Sequence, residues 1–200
     1  MLQKGYISHS FATICLMKKI IILLSGEGTN AQNIVEKLHM KECEVLCAIT
    51  NNPDAKGIQR MQDLGIRCHL VDHREFSSRE RFDIALVELI HSYKPDLVVL
   101  SGFMRILSKE FTEHVKAINL HPSLLPKYKG AKAIEQSFQS GDKECGVSVH
   151  WVNSELDGGA VILQKSFLRD RDMNFEEFLA SIKKLEYAIV PEAIQKVLKA

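Results

Sequence analysis

From Lys18 onward, unbroken apolar runs of strand length alternate with segments of helical spacing, and this pattern leaves the chain few ways to fold. "KIIILLS" gives way to "NAQNIVEKLH", where Ile34, Val35 and Leu38 share one face. "VLCAIT" (45–50) is followed by "GIQRMQDLG", a short helix stopped by Gly65. "CHLVD" precedes "SSRERFDIALVELIHSY", which opens with a serine cap and carries Phe82, Leu86, Leu89 and Ile90 on one side before Lys94-Pro95. "DLVVLSG" (96–102), a short helix in "SKEFTEHV" and the strand "AINLH" continue the series. Strands that are apolar throughout must be covered on both faces, so the pattern predicts an α/β fold: a Rossmann-like open, mostly parallel sheet with helices on both faces. After Gly141 the texture changes. "GVSVHWV" alternates and "VILQKSF" follows a glycine-rich turn, which predicts an antiparallel C-terminal strand pair added to that sheet. "NFEEFLASIKKLEYAIVPEAIQKVL" reads as an amphipathic C-terminal helix interrupted at Pro191.

Two hundred residues suit one domain with a sizeable core. The segment before Met17 is read as a disordered extension or a start assigned too early, because its apolar run is broken by Ser8, His9 and Ser10. A formal net charge of +1 gives no basic surface of the kind that nucleic acid or an anionic membrane demands, and no apolar stretch approaches a membrane span. The cysteines, Cys15, Cys43, Cys47, Cys68 and Cys145, form no CxxC pair and are read as free thiols of a cytoplasmic protein. Histidines 9, 39, 69, 73, 91, 114 and 150 show no HExxH or comparable spacing, so no metal is expected.

In an open parallel sheet, ligands bind beyond the carboxyl ends of the strands. The first strand ends in "SGEGTN" (25–30), where Gly26 and Gly28 can bring main-chain amides close to an anion at a helix start. The spacing is neither a dinucleotide fingerprint nor a Walker loop, and it suits a single phosphate; an ordinary tight turn is the alternative. The strand "AINLH" ends with Asn119 and His121, which as i and i+2 point to one face. An amide and an imidazole placed together can bond an oxygen that gains charge during acyl transfer; a capping asparagine beside a partly buried histidine is the alternative. Asp157, in "ELDGG", follows the sixth strand on a turn that could return to the same edge, and a carboxylate there would hold the imidazole charged or fix its tautomer. No serine or cysteine stands in a nucleophile elbow, which favours direct attack by a substrate amine.

Taken in order, "SGEGTN", "SGFMRILS", "NLHPSLLPKYKG" and "ELDGG" resemble the phosphoribosylglycinamide formyltransferases, folate-dependent enzymes of purine synthesis. The resemblance runs from about Met17 to the C-terminal helix and implies a single formyltransferase domain over 17–200. It implies transfer of a formyl group from the co-substrate 10-formyltetrahydrofolate to the amine of glycinamide ribonucleotide, with no metal, by a monomer or homodimer. By the same resemblance, Asn119, His121 and Asp157 are the catalytic trio, with His121 acting as imidazolium. Gly28, Thr29, Asn30 and Glu186 hold the ribonucleotide. Arg79, Met104, Arg105, Ile106, Leu107, Asn119, Asn153, Ser154, Glu155, Leu156 and Asp157 form the folate site. For Lys127 and Lys129 two readings stand, one of them assisting with the phosphate or both being solvated loop lysines. Where most members carry "LHTH"-like residues after "KYKG", this chain has "AKAIEQSF", closer to the methionyl-tRNA formyltransferases and the formyltetrahydrofolate deformylases. The deformylase is the alternative reading. It usually carries an additional N-terminal domain and lacks the "GxGTN" loop.

Overall fold

A computed structural model describes residues 17–200, and the proposed extension 1–16, with Cys15, lies outside the described residues. Seven strands form one sheet in the order β3-β2-β1-β4-β5-β6-β7. These are β1 (Lys19–Leu24), β2 (Glu44–Thr50), β3 (Cys68–Leu70), β4 (Leu97–Leu100), β5 (Ala117–His121), β6 (Glu144–Trp151) and β7 (Val161–Leu168). The first five pair in parallel; β5 with β6 and β6 with β7 pair antiparallel, as the change of texture after Gly141 predicts.

The continuous apolar runs have a direct cause in the two cores. Ile20, Ile22 and Leu24 of β1 face one core, shared with Ile34, Val35 and Leu38 of α1 (Thr29–Leu38) and Ile182, Ile189 and Ile194 of α6 (Phe175–Lys199). Ile21 and Leu23 face the other, shared with Phe82, Leu86 and Ile90 of α3 (Arg79–Tyr93). A strand sandwiched in this way has no face left for polar side chains. Its alternate residues serve opposite cores. The remaining helices are short: α2 (Gly57–Asp63), α4 (Lys109–Thr112) and α5 (Ala133–Gln139).

Local signals explain most boundaries. Ser78 Oγ accepts the Arg81 N–H at the start of α3, and Lys94 ends it in the left-handed region at φ 52°. Asn174 and Glu177 form a reciprocal capping box on α6. Three features depart from the pattern in the sequence. The run "DLVVLSG" stops as a strand at Leu100, because the chain turns at Ser101 and Gly102 takes φ 76°. The segment "AIEQSFQ" is helical without having shown a helical pattern long enough to read. Finally, α6 runs unbroken through Pro191. A proline inside a helix deprives the carbonyl four residues earlier of its partner. Here that carbonyl, Tyr187, accepts instead from Asn33 Nδ2 and Lys37 Nζ of α1, both at 3.0 Å.

This architecture leaves one region of sheet without a helix over it. On the α3 side the helices lie over β1, β2 and β4, whereas the same face of β5 and β6 carries Asn119, His121, Ser148 and His150. Their neighbours Ile118, Leu120, Val147 and Val149 point into the opposite core.

Candidate active site

Over that helix-free face lies a cavity of about 300 Å3. Its floor is Asn119, His121 and His150, and its apolar side is the irregular segment Phe103–Leu107 that follows β4. The turn Asn153–Asp157 after β6 closes the remaining side, with Gly130 and Ala131 at one corner. Met104 and Ile106 are 70% and 58% exposed, so the wall offers apolar surface that water now covers.

Asp157 reaches the floor because the chain doubles back sharply. It takes φ 48°, and Gly159 follows where a Cβ would stand 1.8 Å from the Trp151 carbonyl oxygen. Non-glycine residues rarely sit at such a φ, and strain of this kind concentrates where a side chain must be aimed. Asp157 Oδ2 accepts the Gly130 N–H at 2.8 Å and stands 3.3 Å from His121 Nδ1, while Oδ1 lies 3.4 Å from Asn119 Nδ2 and 3.5 Å from His150 Nε2. The His121 and Asp157 side chains are only 5% and 7% exposed.

Proton positions follow from which partners can only accept. His121 Nε2 is 2.7 Å from the Tyr128 carbonyl, so Nε2 carries hydrogen and donates. Tyr128 is turned to φ 54°, which points that carbonyl inward. His150 Nδ1 lies 2.8 Å from the Trp151 carbonyl and donates in the same way, and its Nε2 stands 3.2 Å from Asn119 Nδ2 and 3.5 Å from Asp157 Oδ1. Burial lowers the His121 pKa below its ordinary 6.5, and the Tyr128 carbonyl and Asp157 only partly offset that. Burial works to raise the Asp157 pKa, but His150, the Gly130 N–H and the His121 ring outweigh it, and the carboxyl is held low. The 3.3 Å separation between His121 Nδ1 and Asp157 is longer than a charge-assisted hydrogen bond. Both ring nitrogens of His121 thus face acceptors, a carbonyl and a carboxylate, while burial opposes the charge that two such partners favour. That opposition to the imidazolium expected beside an acid comes from desolvation, which the sequence does not display.

Next to this cavity, at the point where strand order reverses around β1, is the glycine loop. Ser25 joins the two: its N–H donates to the Gly102 carbonyl at 3.0 Å, and its Oγ accepts the Met104 N–H at 2.7 Å. Gly28 takes φ 72° at the start of α1, and a Cβ there would lie 2.5 Å from Gly57 Cα. Two main chains thus cross where no side chain fits. Thr29 and Asn30 open α1, whose first amides form an anion-binding end. Asn30 Nδ2 donates to Glu186 Oε2 at 2.8 Å, so the loop and α6 meet; burial raises the Glu186 pKa. The buried Asn30 Oδ1 has no partner.

The structure therefore brings together Asn119, His121 and Asp157 and surrounds them with Met104–Leu107 and Asn153–Leu156; Asn30 and Glu186 meet each other at the glycine loop, which Ser25 ties to the cavity wall. Arg79 stands apart. It is exposed at the start of α3, 3.4 Å from Glu80, and is not among the residues lining the cavity. Lys127 and Lys129 pair with Asp142 and Glu155, each at 2.7 Å, and so have carboxylate partners of their own. Sequence reasoning missed His150, the Tyr128 carbonyl and the Gly130 N–H. The alternation of "GVSVHWV" does place Ser148 and His150 on one face, but pairing His150 with Asn119 requires the strand register. Among the described residues no group of three or more His, Cys, Asp or Glu side chains could hold a metal ion, and no helix is long and apolar enough to cross a membrane.

Residues 18–194 match the family profile described as formyl transferase. The chain belongs to the formyl transferase family. It is 41% identical over 179 residues to the phosphoribosylglycinamide formyltransferase of Escherichia coli, covering 88% of this chain and 84% of that one. It is 38% identical over 183 residues to the enzyme of the same name from Haemophilus influenzae, covering 90% and 86%. The crystal structure of phosphoribosylglycinamide formyltransferase from Campylobacter jejuni superimposes with a TM-score of 0.89 at 47% identity, covering 92% of this chain and 98% of that one.

Proposed function

We propose that this formyl transferase moves the formyl group of 10-formyltetrahydrofolate to the amine of glycinamide ribonucleotide, a cytoplasmic step of purine synthesis, within a single domain over residues 17–200. The observation that carries this reading is the meeting of Asn119, His121 and Asp157 on the floor of a cavity with an apolar wall, hydrogen-bonded through Ser25 to a glycine loop at a helix start. The apolar wall of Met104, Ile106 and Leu107 suits a pterin ring, and the turn Asn153–Asp157 supplies polar groups to its edge. Gly28, Thr29 and Asn30 offer main-chain amides to the ribonucleotide phosphate, with Glu186 and the unpartnered Asn30 Oδ1 available to its polar groups.

The chemistry turns on one proton and on the lowered pKa of His121. The substrate amine attacks the formyl carbon, and its nitrogen becomes acidic as the tetrahedral intermediate forms. Neutral His121 takes that proton at Nδ1, and Asp157, 3.3 Å away, stabilises the imidazolium produced. The Asn119 amide donates to the carbonyl oxygen as it gains charge, giving up its long 3.4 Å contact with Asp157. Collapse of the intermediate then expels the folate nitrogen, which takes the proton held by His121, so that the ring is restored and the formyl group stays on the amine.

A spectrophotometric assay of 10-formyltetrahydrofolate with and without glycinamide ribonucleotide tests the reading. Turnover that requires the ribonucleotide is expected; equal turnover without it would assign the chain to formyltetrahydrofolate hydrolysis instead.

A further inference from the structure

Asp83 is a carboxylate on α3 with 0% exposure, and the mechanism above does not use it. A buried acid inside a helix is costly, so its partners are informative. Its Oδ2 accepts the main-chain N–H of Ser108 at 2.6 Å, short enough for a charge-assisted bond. Ser108 is the residue at which the cavity wall Phe103–Leu107 ends and α4 begins. At the other end of the wall, the Met104 N–H is held by Ser25 Oγ at 2.7 Å. An irregular segment with no strand or helix of its own is thus tied down at both ends by buried polar side chains.

Beneath the segment lie further groups without partners: Asp83 Oδ1, Ser108 Oγ and Arg105 Nε are all buried and unbonded. Burial raises the Asp83 pKa above its ordinary 3.8, while hydrogen bonding from Ser108 and then the Arg79 and Arg105 charges work against that rise. The Arg105 guanidinium lies 5.6 Å from the centre of the Phe82 ring, on the residue next to Asp83. Arg105 thus packs against the helix that carries the acid clamping its segment.

We infer that Asp83 is a positioning residue for the formyl donor: its buried carboxylate anchors Ser108 and attracts Arg105, fixing the wall against which the folate binds. This role rests on the assignment of the cavity proposed above. It separates Asp83 from the glycine loop, so the two substrates should respond differently. A charge-assisted hydrogen bond corresponds to about a tenfold effect or more on an equilibrium.

The test is steady-state kinetics of Asp83→Asn with each substrate varied in turn, alongside thermal unfolding. The inference expects the KM for 10-formyltetrahydrofolate to rise about tenfold while that for glycinamide ribonucleotide and kcat change by less than about twofold. Unchanged KM for the donor, or both KM values rising together, would overturn it, since a merely structural acid has no reason to favour one substrate. If Asp83→Asn does not fold, Ser108→Pro removes the N–H that Asp83 accepts, together with an unbonded hydroxyl, at a position whose φ of −85° is near that of proline. A selective rise in donor KM there supports the role, and none overturns it. The unaltered enzyme distinguishes the two failures. No saturation with 10-formyltetrahydrofolate would remove the cavity assignment itself, whereas normal saturation with an indifferent variant removes only Asp83.

Discussion

His121 Nδ1 faces Asp157 Oδ2 at 3.3 Å, while the far side of the same ring is fixed to the Tyr128 carbonyl. The ring is ready to accept charge and cannot turn away to do so.

One consequence concerns stability against pH. Burial places the folded-state pKa of His121 below 6.5, so its contribution to stability is present above about pH 6.5 and is lost as pH falls toward the folded value. Asp157 is also held below its ordinary value of 3.8, and its contribution is present above that value and disappears only in stronger acid. Melting temperature should therefore fall with acidification from pH 6.5, and His121→Gln should flatten that part of the curve. An identical slope in the variant would show that His121 is not the group being titrated.

Loss of the oxyanion donor should be kinetic and not structural. Asn119→Ala is expected to reduce kcat about a hundred- to a thousandfold with little change in melting temperature. Asp157→Asn should also slow turnover, and because Asp157 raises the His121 pKa, the acidic limb of the rate profile should move to lower pH. Near-normal rates in both variants would remove the trio from the mechanism.

The glycine loop is the least tolerant of change. Gly28→Ala combines an unfavourable φ with a contact of 2.5 Å to Gly57 Cα, and should destabilise the fold by about 2 kcal/mol or more. Denaturant titration measures this. An Ala variant of full stability would mean that the two main chains can part without loss.

The α1–α6 junction makes a prediction about coupling. Asn33→Leu leaves the Tyr187 carbonyl without its part-buried partner and should destabilise by about 1 kcal/mol. In a Pro191→Ala background the helix can supply an N–H to that carbonyl, so the same substitution should matter less. Strict additivity in the double-mutant cycle would argue against the exchange of partners.

The contrast between legible and hidden features has a physical basis. Ile20–Leu24 had to be apolar because both faces of β1 are covered, and the i, i+2 spacing of Asn119 and His121 states their shared face outright. Asp157 could be suspected from its glycine-rich turn, but its approach to His121 depends on a main-chain reversal at positive φ. His150 was hidden by register. The charge state of His121 was hidden because desolvation belongs to the assembled site, and the continuity of α6 because its remedy lies on another helix. Arg79 has a clear place in the motif, yet it is exposed beside Glu80 and does not line the cavity.

The defect at Pro191 thus becomes an alignment key. By handing the Tyr187 carbonyl to Asn33 and Lys37, it stops the C-terminal helix from rolling about its own axis, and Glu186, the residue before Tyr187, is held in phase with Asn30. A regular helix here would seal its own backbone and lose that handle. The acid that meets the loop would then be set only by greasy packing, which tolerates slippage far better than a pair of hydrogen bonds does.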